Sequence, residues 1–284
     1  MRWEFGRKSK NVEDRRGTGV SRPLVGGGIG AIVLALVAAF FGIDPAIIEQ
    51  ITQTDNGSYS NTPSRTIPPS QDKLANFVSV VLADTEDTWN PLFRKMGKNY
   101  VEPKLVLFRN TVKSACGYAQ AASGPFYCPT DQKVYIDLSF YQQLRNRLGA
   151  PGDFAQAYVI AHEVGHHVQN LMGISGKVQS VQRQVSKTQA NQLSVRLELQ
   201  ADCFAGIWVN RAQKARNILE PGDIKEALNA AAAIGDDRLQ KRAKGYVVTE
   251  SFTHGSSAQR VRWFKRGVQT GQLDQCNTFE RENI

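Results

Sequence analysis

The strongest constraint on the fold of this chain is a cluster of histidines on an otherwise apolar segment. Residues 160–173 read IAHEVGHHVQNLMG and hold three of the four histidines in the 284-residue sequence. The recurring apolar residues predict a buried helix. On that helix His162 and His166 lie one turn apart on the same face, so both rings can reach one metal ion. A metal ion would satisfy the two buried rings, and some partner is needed because an unsatisfied buried polar group costs free energy.

Glu163 completes the pattern H-E-x-x-H and indicates what that ion would do. Its side chain is displaced around the helix from His162, so it can reach a water on the metal and serve as a general base rather than as a ligand. Imidazole nitrogens suit zinc, and the predicted cofactor is Zn²⁺. His167 points away from the shared face and is interpreted as a packing or hydrogen-bonding residue. The alternative is that so short a pattern matches by chance. A third candidate ligand elsewhere in the chain therefore decides between a metal site and a chance match.

A second apolar segment, residues 195–208 with the sequence VRLELQADCFAGIW, supplies the candidate third ligand. It is apolar nearly all round, which predicts a buried helix, yet it carries Glu198 and Asp202 on one face. Two carboxylates so placed repel each other and resist burial unless a cation lies nearby. We therefore predict that Glu198 ligates the zinc and that Asp202 accepts a hydrogen bond from the second ring nitrogen of a ligand histidine. An exposed acidic face near Arg196 and Arg211 is the alternative.

Periodicity elsewhere predicts an α+β fold, mostly helical with a small sheet, because strand patterns come early and helical patterns late. The predicted strands are residues 104–108 and 133–140, the second alternating as a half-buried strand does. The predicted helices span residues 153–172, 187–215, 221–234 and 256–269, the first with Asp153 as N-cap and Gly173 as its stop.

Three segments precede the predicted domain. Residues 1–22 form a basic cytoplasmic leader, residues 23–43 a transmembrane anchor, residues 44–72 a flexible polar linker, and residues 73–284 the folded domain. The run Leu24–Ile43 has no charged residue and the length of about 20 residues that a transmembrane helix needs. Because the positive residues precede it, the leader is predicted in the cytoplasm and the domain across the membrane. A cleaved signal peptide is the alternative.

Charge argues against nucleic acid as a partner. Residues 1–22 hold seven basic and three acidic residues and so supply +4 of the net charge of +9. The remaining chain is only mildly basic. Its basic clusters at residues 238–244 and 260–266 are interpreted as solvated helix faces.

The four cysteines, on the predicted outside of the membrane where disulfides persist, allow three connectivities. We favour Cys116–Cys128, which closes a short loop, and Cys203–Cys276, which pins the carboxyl-terminal tail to the second candidate metal helix. A structural zinc site is the alternative, but no C-x-x-C spacing supports it.

The two metal motifs together resemble those of known zinc peptidases. HEVGHH followed by ELQAD is similar to the zincin metallopeptidases of the gluzincin type, which carry HExxH on one helix and ExxxD on the next. More closely, the chain resembles the bacterial neutral zinc metallopeptidase family in the segments MRWEFGRKSKNVEDRRG, ACGYAQAASGPFYCP, VYIDLSF, AHEVGHHVQ, RLELQADCFAG and THGSSAQRVRWF. The resemblance covers nearly the whole chain apart from the linker. It implies a zincin-like domain with His162, His166 and Glu198 as zinc ligands and Glu163 as the general base.

The residues and this resemblance together predict a zinc-dependent peptidase acting on peptides or proteins. A single helix would anchor it in the bacterial inner membrane, with the catalytic domain in the periplasm or otherwise outside the cytoplasm. His254, in THGSS, is the candidate second electrophile, with a capping or loop histidine as the alternative; Tyr127 and Tyr135 are lesser candidates. By resemblance, strand 133–140 would pair with the substrate backbone. The competing hypotheses are a zinc-binding module without catalysis and an anchored scaffold, and the oligomeric state is left open.

Overall fold

A four-stranded sheet flanked by helices forms the core of the computed structural model, which describes residues 1–17, 72–120 and 124–280. The predicted anchor at residues 23–43 and the predicted linker up to residue 71 lie outside the described residues. Within the described ranges, no helix has the length and apolar character needed to cross a membrane.

The order of elements confirms the predicted α+β fold, with short strands placed mostly before a set of helices. The strands are β1 (Val12–Asp14), β2 (Lys104–Phe108), β3 (Thr111–Ser114), β4 (Gly117–Gln120), β5 (Phe126–Cys128) and β6 (Lys133–Asp137). The helices are α1 (Lys73–Lys95), α2 (Phe140–Asn146), α3 (Asp153–Leu171), α4 (Ile174–Gln182), α5 (Lys187–Arg216), α6 (Asp223–Ala233), α7 (Asp236–Lys244) and α8 (Ser257–Thr270). Short 3-10 turns follow at Thr249–Ser251 and Asp274–Cys276.

Strand β6 lies inside the sheet, whose order is β1-β2-β6-β5. It pairs in parallel with β2 and antiparallel with β5, while β3 and β4 form a separate hairpin. Val134 and Ile136 belong to the main apolar core, whereas Tyr135 belongs to a second apolar cluster with Val106 and Phe108. The prediction of a half-buried strand is therefore wrong, because apolar layers cover both faces of β6.

Residues 1–17, named the amino-terminal strap, run along the domain and contribute its first strand. β1 pairs in parallel with β2 along its whole length. Met1 is 4% exposed, and the Trp3 ring packs edge-on against Phe77 with 5.4 Å between ring centroids. The strap therefore belongs to the folded domain, whereas the sequence predicted a separate leader over residues 1–22.

A buried carboxylate fastens the strap to α1. Glu86 is 1% exposed. It accepts hydrogen bonds from three strap side chains: Ser9 Oγ at 2.5 Å, Arg7 Nη2 at 2.8 Å and Asn11 Nδ2 at 2.9 Å. A carboxylate leaves water at high cost unless donors replace the water, and the strap supplies these donors. At the other end of the strap, Arg16 forms an ion pair with Asp72, where the described chain resumes.

The start of α3 differs from the prediction that Asp153 is its N-cap. Gly152 occupies the N-cap position, and Asp153 is the first helical residue, with its carboxylate 2.9 Å from the amino group of Met1. The helix ends at Leu171, and Gly173, the predicted stop, adopts a left-handed conformation. Helix α4 begins directly after Gly173, and the sequence analysis did not predict it.

Helices α3, α5 and α8 approach closely where glycines face a neighbouring backbone. A Cβ added at Gly165 on α3 would lie 3.0 Å from the carbonyl oxygen of Ala201 on α5. A Cβ added at Gly267 on α8 would lie 2.0 Å from the carbonyl oxygen of Cys203 on α5. Because these positions leave no room for a side chain, the three helices can bring their polar residues to a common point.

Both predicted disulfides are present. Cys116, in the turn of the β3–β4 hairpin, is bonded to Cys128 on β5, and Cys203 on α5 is bonded to Cys276 in the second 3-10 turn. The first disulfide ties the hairpin to the sheet, and the second ties the carboxyl-terminal segment to α5.

Candidate metal centre

The three predicted ligands meet between α3 and α5. His162 and His166 lie one turn apart on α3, with their ring centroids 4.8 Å apart. Glu198 of α5 faces both rings, with one carboxylate oxygen 3.2 Å from His162 Nε2 and the other 3.3 Å from His166 Nε2. One ligand atom from each of the three residues lies within 4.8 Å of the others. Two imidazole nitrogens and a carboxylate are a donor set that fits zinc.

Asp202 fixes the orientation of the first ligand ring. Its Oδ1 lies 2.8 Å from Nδ1 of His162, and the carboxylate is fully buried. When that nitrogen donates to the carboxylate, the lone pair of His162 Nε2 is left for a metal. This contact is the one that the sequence predicted from the spacing of Glu198 and Asp202.

Gln169 plays the same part for the second ligand ring, and the sequence analysis missed it. Its Oε1 lies 2.9 Å from Nδ1 of His166. Its Nε2 donates to the carbonyl oxygen of Leu197 at 2.7 Å and to Gln200 Oε1 at 3.1 Å, so the amide orientation is fixed from α5. The available signal was a polar residue three positions after His166 on a buried apolar helix.

Arg260 of α8 is a buried partner of Asp202 that the sequence analysis also missed. The interpretation of residues 260–266 as a solvated face is wrong for Arg260, because only 1% of it is exposed. Its Nε and Nη2 each lie 2.9 Å from an oxygen of Asp202, and the Tyr158 hydroxyl donates to the same carboxylate at 2.5 Å. These partners compensate the buried charge. The available signal was Trp263, which places position 260 on the apolar face of α8.

The charges of this cluster shift the pKa values of its members. Burial alone would lower the pKa of His162, but the charge and hydrogen bond of Asp202 outweigh it and raise that pKa to about 9. Burial opposes the ionisation of Asp202, yet Arg260 and His162 hold its pKa below the usual range. Burial likewise opposes the ionisation of Glu198, but the charge of His166 holds its pKa well below the ordinary value. Burial opposes a charge on His166 as well, but the charge and hydrogen bond of Glu198 raise its pKa. Because a metal binds the neutral ring, a divalent cation would compete with protons for both histidines.

Glu163 lies beside the ligand histidines with an uncommitted carboxylate. It is 8% exposed, and no hydrogen bond ties its carboxylate to another residue in the described part of the chain. Burial raises its pKa, against the lowering effect of the charges on His162 and His166. A raised pKa suits a general base, since the best catalytic pKa lies near the working pH.

His254 lies in a tightly held loop. The backbone N–H groups of Thr253, His254 and Gly255 donate to one oxygen of Asp236 at 2.8, 2.7 and 3.0 Å. The His254 Nδ1 atom lies 2.9 Å from the hydroxyl of Thr253. Three hydrogen bonds to one buried carboxylate fix the loop backbone, and the other oxygen of Asp236 lies 3.4 Å from the same Nδ1 atom, so these contacts orient the imidazole.

That loop packs against the turn of α5 that carries Glu198. A Cβ added at Gly255 would lie 3.2 Å from side-chain atoms of both Val195 and Leu199. The charge of His254 also contributes to the low pKa of Glu198. The structure thus brings His254 near the third ligand, and its catalytic role stays a prediction.

His167 is a structural histidine, as predicted. Its Nε2 donates to the carbonyl oxygen of Val101 at 2.6 Å, which leaves Nδ1 to accept from the Tyr127 hydroxyl at 3.0 Å. Burial lowers its pKa to about 4, so the ring is neutral. The Tyr135 hydroxyl donates to Asp131 at 2.7 Å. The hydroxyls of both tyrosines, the lesser candidates for a second electrophile, are therefore committed to structural contacts.

The strand that was expected to pair with substrate is not an edge strand. β6 is paired on both sides, so the prediction of substrate binding along residues 133–140 is wrong. β5 ends the sheet on this side, with no further strand beside it in the described ranges. Its Tyr127 hydroxyl contacts α3 through His167 and Asn170. The edge next to the metal helix is therefore β5.

Comparisons with known proteins agree with this donor set. The sequence profile of the family described as "Putative neutral zinc metallopeptidase" matches residues 1–279. The chain is 51% identical over 288 residues to "Uncharacterized protein YpfJ" of Escherichia coli (strain K12), covering 98% of this chain and 99% of that protein. It is 40% identical over 218 residues to "Uncharacterized protein Rv2575" of Mycobacterium tuberculosis (strain ATCC 25618 / H37Rv), covering 73% of each. No solved structure matches the chain.

Proposed function

The chain belongs to the neutral zinc metallopeptidase family, and from this premise we propose that it is a zinc-dependent peptidase acting on peptides or proteins. The observation that carries the proposal is the convergence of His162, His166 and Glu198 beside the uncommitted carboxylate of Glu163. A catalytic zinc has three protein ligands and an open fourth position, whereas a structural zinc has four protein ligands. Three ligands and an adjacent base therefore favour catalysis over a structural metal.

The residues of the centre have distinct tasks in peptide hydrolysis. Zinc, when bound, lowers the pKa of a water and polarises the peptide carbonyl. Glu163 takes the proton of the attacking water and passes it to the leaving amine. Asp202 and Gln169 hold Nδ1 of the two ligand rings, so both rings keep the tautomer that binds metal. From its fixed loop, His254 donates a hydrogen bond to the developing oxyanion.

The edge of β5 is the proposed place for the substrate backbone. An extended peptide added there would form main-chain hydrogen bonds with a strand that Tyr127 ties to the metal helix through His167. Strand addition gives affinity for any sequence, so side-chain preference must come from elsewhere in the cleft.

Membrane anchoring stays a prediction that the proposal retains. The uncharged run Leu24–Ile43 would hold the peptidase at the bacterial inner membrane. The disulfides Cys116–Cys128 and Cys203–Cys276 support a domain outside the cytoplasm, since disulfides persist in oxidising compartments.

The test measures zinc content and peptide cleavage by the full chain, wild type beside Glu163→Gln. We expect stoichiometric zinc in both, with cleavage about 10²–10⁴-fold slower in the variant, which is what a general base contributes. Glu280→Gln, which makes the same change at an exposed carboxylate, is the control and should cleave as the wild type does.

Two outcomes would contradict the proposal. Zinc in all three proteins without cleavage of a broad peptide pool by the wild type would favour a zinc-binding module. Absence of zinc from the purified, zinc-supplemented wild type would contradict both the peptidase and the module.

A further inference from the structure

The two ligand histidines are oriented by partners of different kinds. The partner of His162 is the charged Asp202, which Arg260 holds in turn. The partner of His166 is the neutral amide of Gln169, and the His166 side chain is 19% exposed against 6% for His162. A hydrogen bond to a neutral acceptor is about half as strong as one to a charged acceptor. The orientation of His166 therefore depends more on how firmly its partner is held.

A chain of buried amides leads from Gln169 to the second 3-10 turn. Gln169 Nε2 donates to Gln200 Oε1 at 3.1 Å, and Gln200 Nε2 donates to the backbone carbonyl oxygen of Cys276 at 3.0 Å. Gln169 is fully buried, and Gln200 is 4% exposed. The two glutamine side chains and the carbonyl group of Cys276 are named the amide relay. The relay connects a metal ligand on α3 to a segment that lies 110 positions later in the chain than His166.

The direction of the amide relay is fixed by the carbonyl group at its end. A backbone carbonyl oxygen can only accept hydrogen bonds, so Gln200 must turn its NH₂ group toward Cys276 and its oxygen toward Gln169. Gln169 must then donate with its own NH₂ group, and its oxygen faces Nδ1 of His166. That nitrogen therefore carries the proton, and Nε2 is left for a metal.

Two acceptors on α5 hold the amide group of Gln169. Its Nε2 donates to the carbonyl oxygen of Leu197 at 2.7 Å and to Gln200. The terminal torsion of a glutamine side chain is soft, so the second hydrogen bond narrows the orientation that the first allows. Leu197 and Gln200 flank the third ligand, Glu198, in the sequence. The amide relay thus ties the α3 ligands to the turn of α5 that carries Glu198.

Residues 276–278 are fastened to the same part of α5. Cys276 is bonded to Cys203. The Thr278 hydroxyl donates to the carbonyl oxygen of Arg196 at 2.7 Å, and the Arg196 guanidinium donates to the carbonyl oxygen of Thr278. Cys276 and Thr278 are fully buried. A covalent bond and two hydrogen bonds therefore hold the carbonyl group at the end of the relay.

We propose that Gln200 is a positioning residue of the metal centre and acts on His166 through Gln169. The Cys203–Cys276 disulfide keeps it in that role by holding the carbonyl group to which it donates. The inference rests on the proposed function, which supplies the zinc. Partners beyond the ligands change the affinity of a metal site because they set the orientation and basicity of the ligand ring.

The test measures the zinc affinity of the full chain by competition with a chromophoric chelator. Gln169→Met removes the acceptor of His166 and should lower the affinity by about 10–100-fold. Gln200→Met keeps the approximate shape of the side chain and removes its hydrogen bonds, and we expect an affinity about three- to tenfold lower. Gln192→Met, the same change at an exposed position of α5, is the control and should bind zinc as the wild type does.

The double variant separates positioning from a general loosening of the fold. If Gln200 acts through Gln169, adding Gln200→Met to Gln169→Met lowers the zinc affinity no further. If the two side chains act independently, the two losses add. NMR of the zinc-loaded proteins gives a second readout, the exchange of the Nδ1 proton of His166 with water. That exchange should be faster in Gln200→Met than in the wild type and unchanged in Gln192→Met.

Removal of a disulfide tests the far end of the amide relay. Cys203→Ala with Cys276→Ala keeps the backbone carbonyl group but removes the covalent bond that holds it. We expect the zinc affinity to fall by about as much as in Gln200→Met. Cys116→Ala with Cys128→Ala removes the disulfide between the β3–β4 hairpin and the sheet and should leave the zinc affinity unchanged.

The outcomes distinguish failure of the relay from failure of the peptidase. A zinc affinity unchanged in Gln200→Met, or additive losses in the double variant, would overturn the inference and leave the proposed function standing. Equal losses after removal of either disulfide would overturn the role given to the Cys203–Cys276 bond. A wild type that binds zinc but cleaves no peptide would contradict the proposed function and leave the relay standing. A wild type that binds no zinc would overturn both.

Discussion

The amino-terminal strap and the metal centre both bury a carboxylate among polar partners, but the partners differ in kind. Around Glu86 they are all donors, from Arg7, Ser9 and Asn11, so the carboxylate is satisfied within the protein. At the metal centre, Glu198 faces the Nε2 atoms of His162 and His166. Once those rings are neutral, three acceptors converge on one point, and only a cation satisfies all three. Buried charge thus indicates a functional site where the partners cannot satisfy each other, and a structural contact where they can.

Deleting the strap, residues 1–17, is expected to have the largest effect, and it tests whether the contacts of the strap stabilise the folded domain. The deletion removes β1 from the sheet and uncovers the apolar surface against which Met1 and Trp3 pack, and the burial of one such side chain contributes about 1.5–3 kcal/mol. The thermal midpoint should fall by about 10 °C or more. Calorimetry beside Phe5→Ser, a change at a fully exposed strap residue, checks this. Equal midpoints for the deletion and the wild type would show that the strap does not stabilise the domain.

Arg260→Met is expected to destabilise the fold by about 3–5 kcal/mol, because Asp202 stays buried without its cationic partner. Adding Asp202→Asn should recover part of the loss, since the stranded charge is then removed. Urea unfolding measures both variants. Arg262→Met, at an exposed position of the same helix, is the control and should change the free energy of unfolding by no more than about 0.5 kcal/mol. A single variant as stable as the wild type would mean that Asp202 does not depend on Arg260.

Asp202→Asn and Glu86→Gln separate the two regions most directly. The first weakens the acceptor that orients His162 and should lower zinc affinity by about 10–100-fold. The second removes a charge beside Arg7 and should lower the free energy of unfolding by about 1–3 kcal/mol while leaving zinc affinity unchanged. Competition with a chromophoric chelator gives the affinities. Weaker zinc binding in both variants would mean that the strap and the metal centre are coupled.

The smallest expected effect is a loosening of the strap in acid through Glu13 of β1. Burial alone would raise its pKa, but hydrogen bonds from Arg15, Lys133 and Lys104 lower it to about 2. Since the pKa of an unfolded Glu is about 4.3, Glu13 favours the folded state above that pH, and the contribution is lost as pH falls toward 2. The thermal midpoints of wild type and Glu13→Gln should therefore differ near neutral pH and converge in acid. A constant difference across this range would contradict the assignment.

The residues of the centre that could be predicted are those whose role follows from the spacing of nearby residues in the sequence. His162, Glu163 and His166 stand within one helical turn, and Glu198 and Asp202 conflict with the apolar helix around them. No nearby residue in the sequence predicts the burial of Arg260, because the carboxylate that explains it lies 58 positions earlier. Its neighbours in sequence are basic, so composition alone indicates a solvated face.

The strap was missed for the same physical reason. Its charges predict a solvated leader, and nothing nearby in the sequence shows that they have buried partners. Ser9 reaches Glu86 across 77 positions, and Arg16 reaches Asp72 across 56. Likewise, the alternation of β6 correctly predicts a strand, but the second apolar layer that covers Tyr135 comes from other strands. Local periodicity identifies elements, whereas the partner that each face meets depends on the tertiary fold.

The contact between Arg16 and Asp72 has a consequence for how this protein can be placed in a cell. Whatever path the chain follows from residue 18 to residue 71, it departs from the domain and rejoins it at one spot. A single crossing with the first residues on one side and the domain on the other would have to pull β1 away from β2. With the strap in its sheet, Arg16 and Asp72 stay in contact, so the chain leaves and re-enters the domain at one place. A single-pass form anchored through residues 24–43 would therefore require release of the strap, and the loss of the pairing between β1 and β2 would oppose that release.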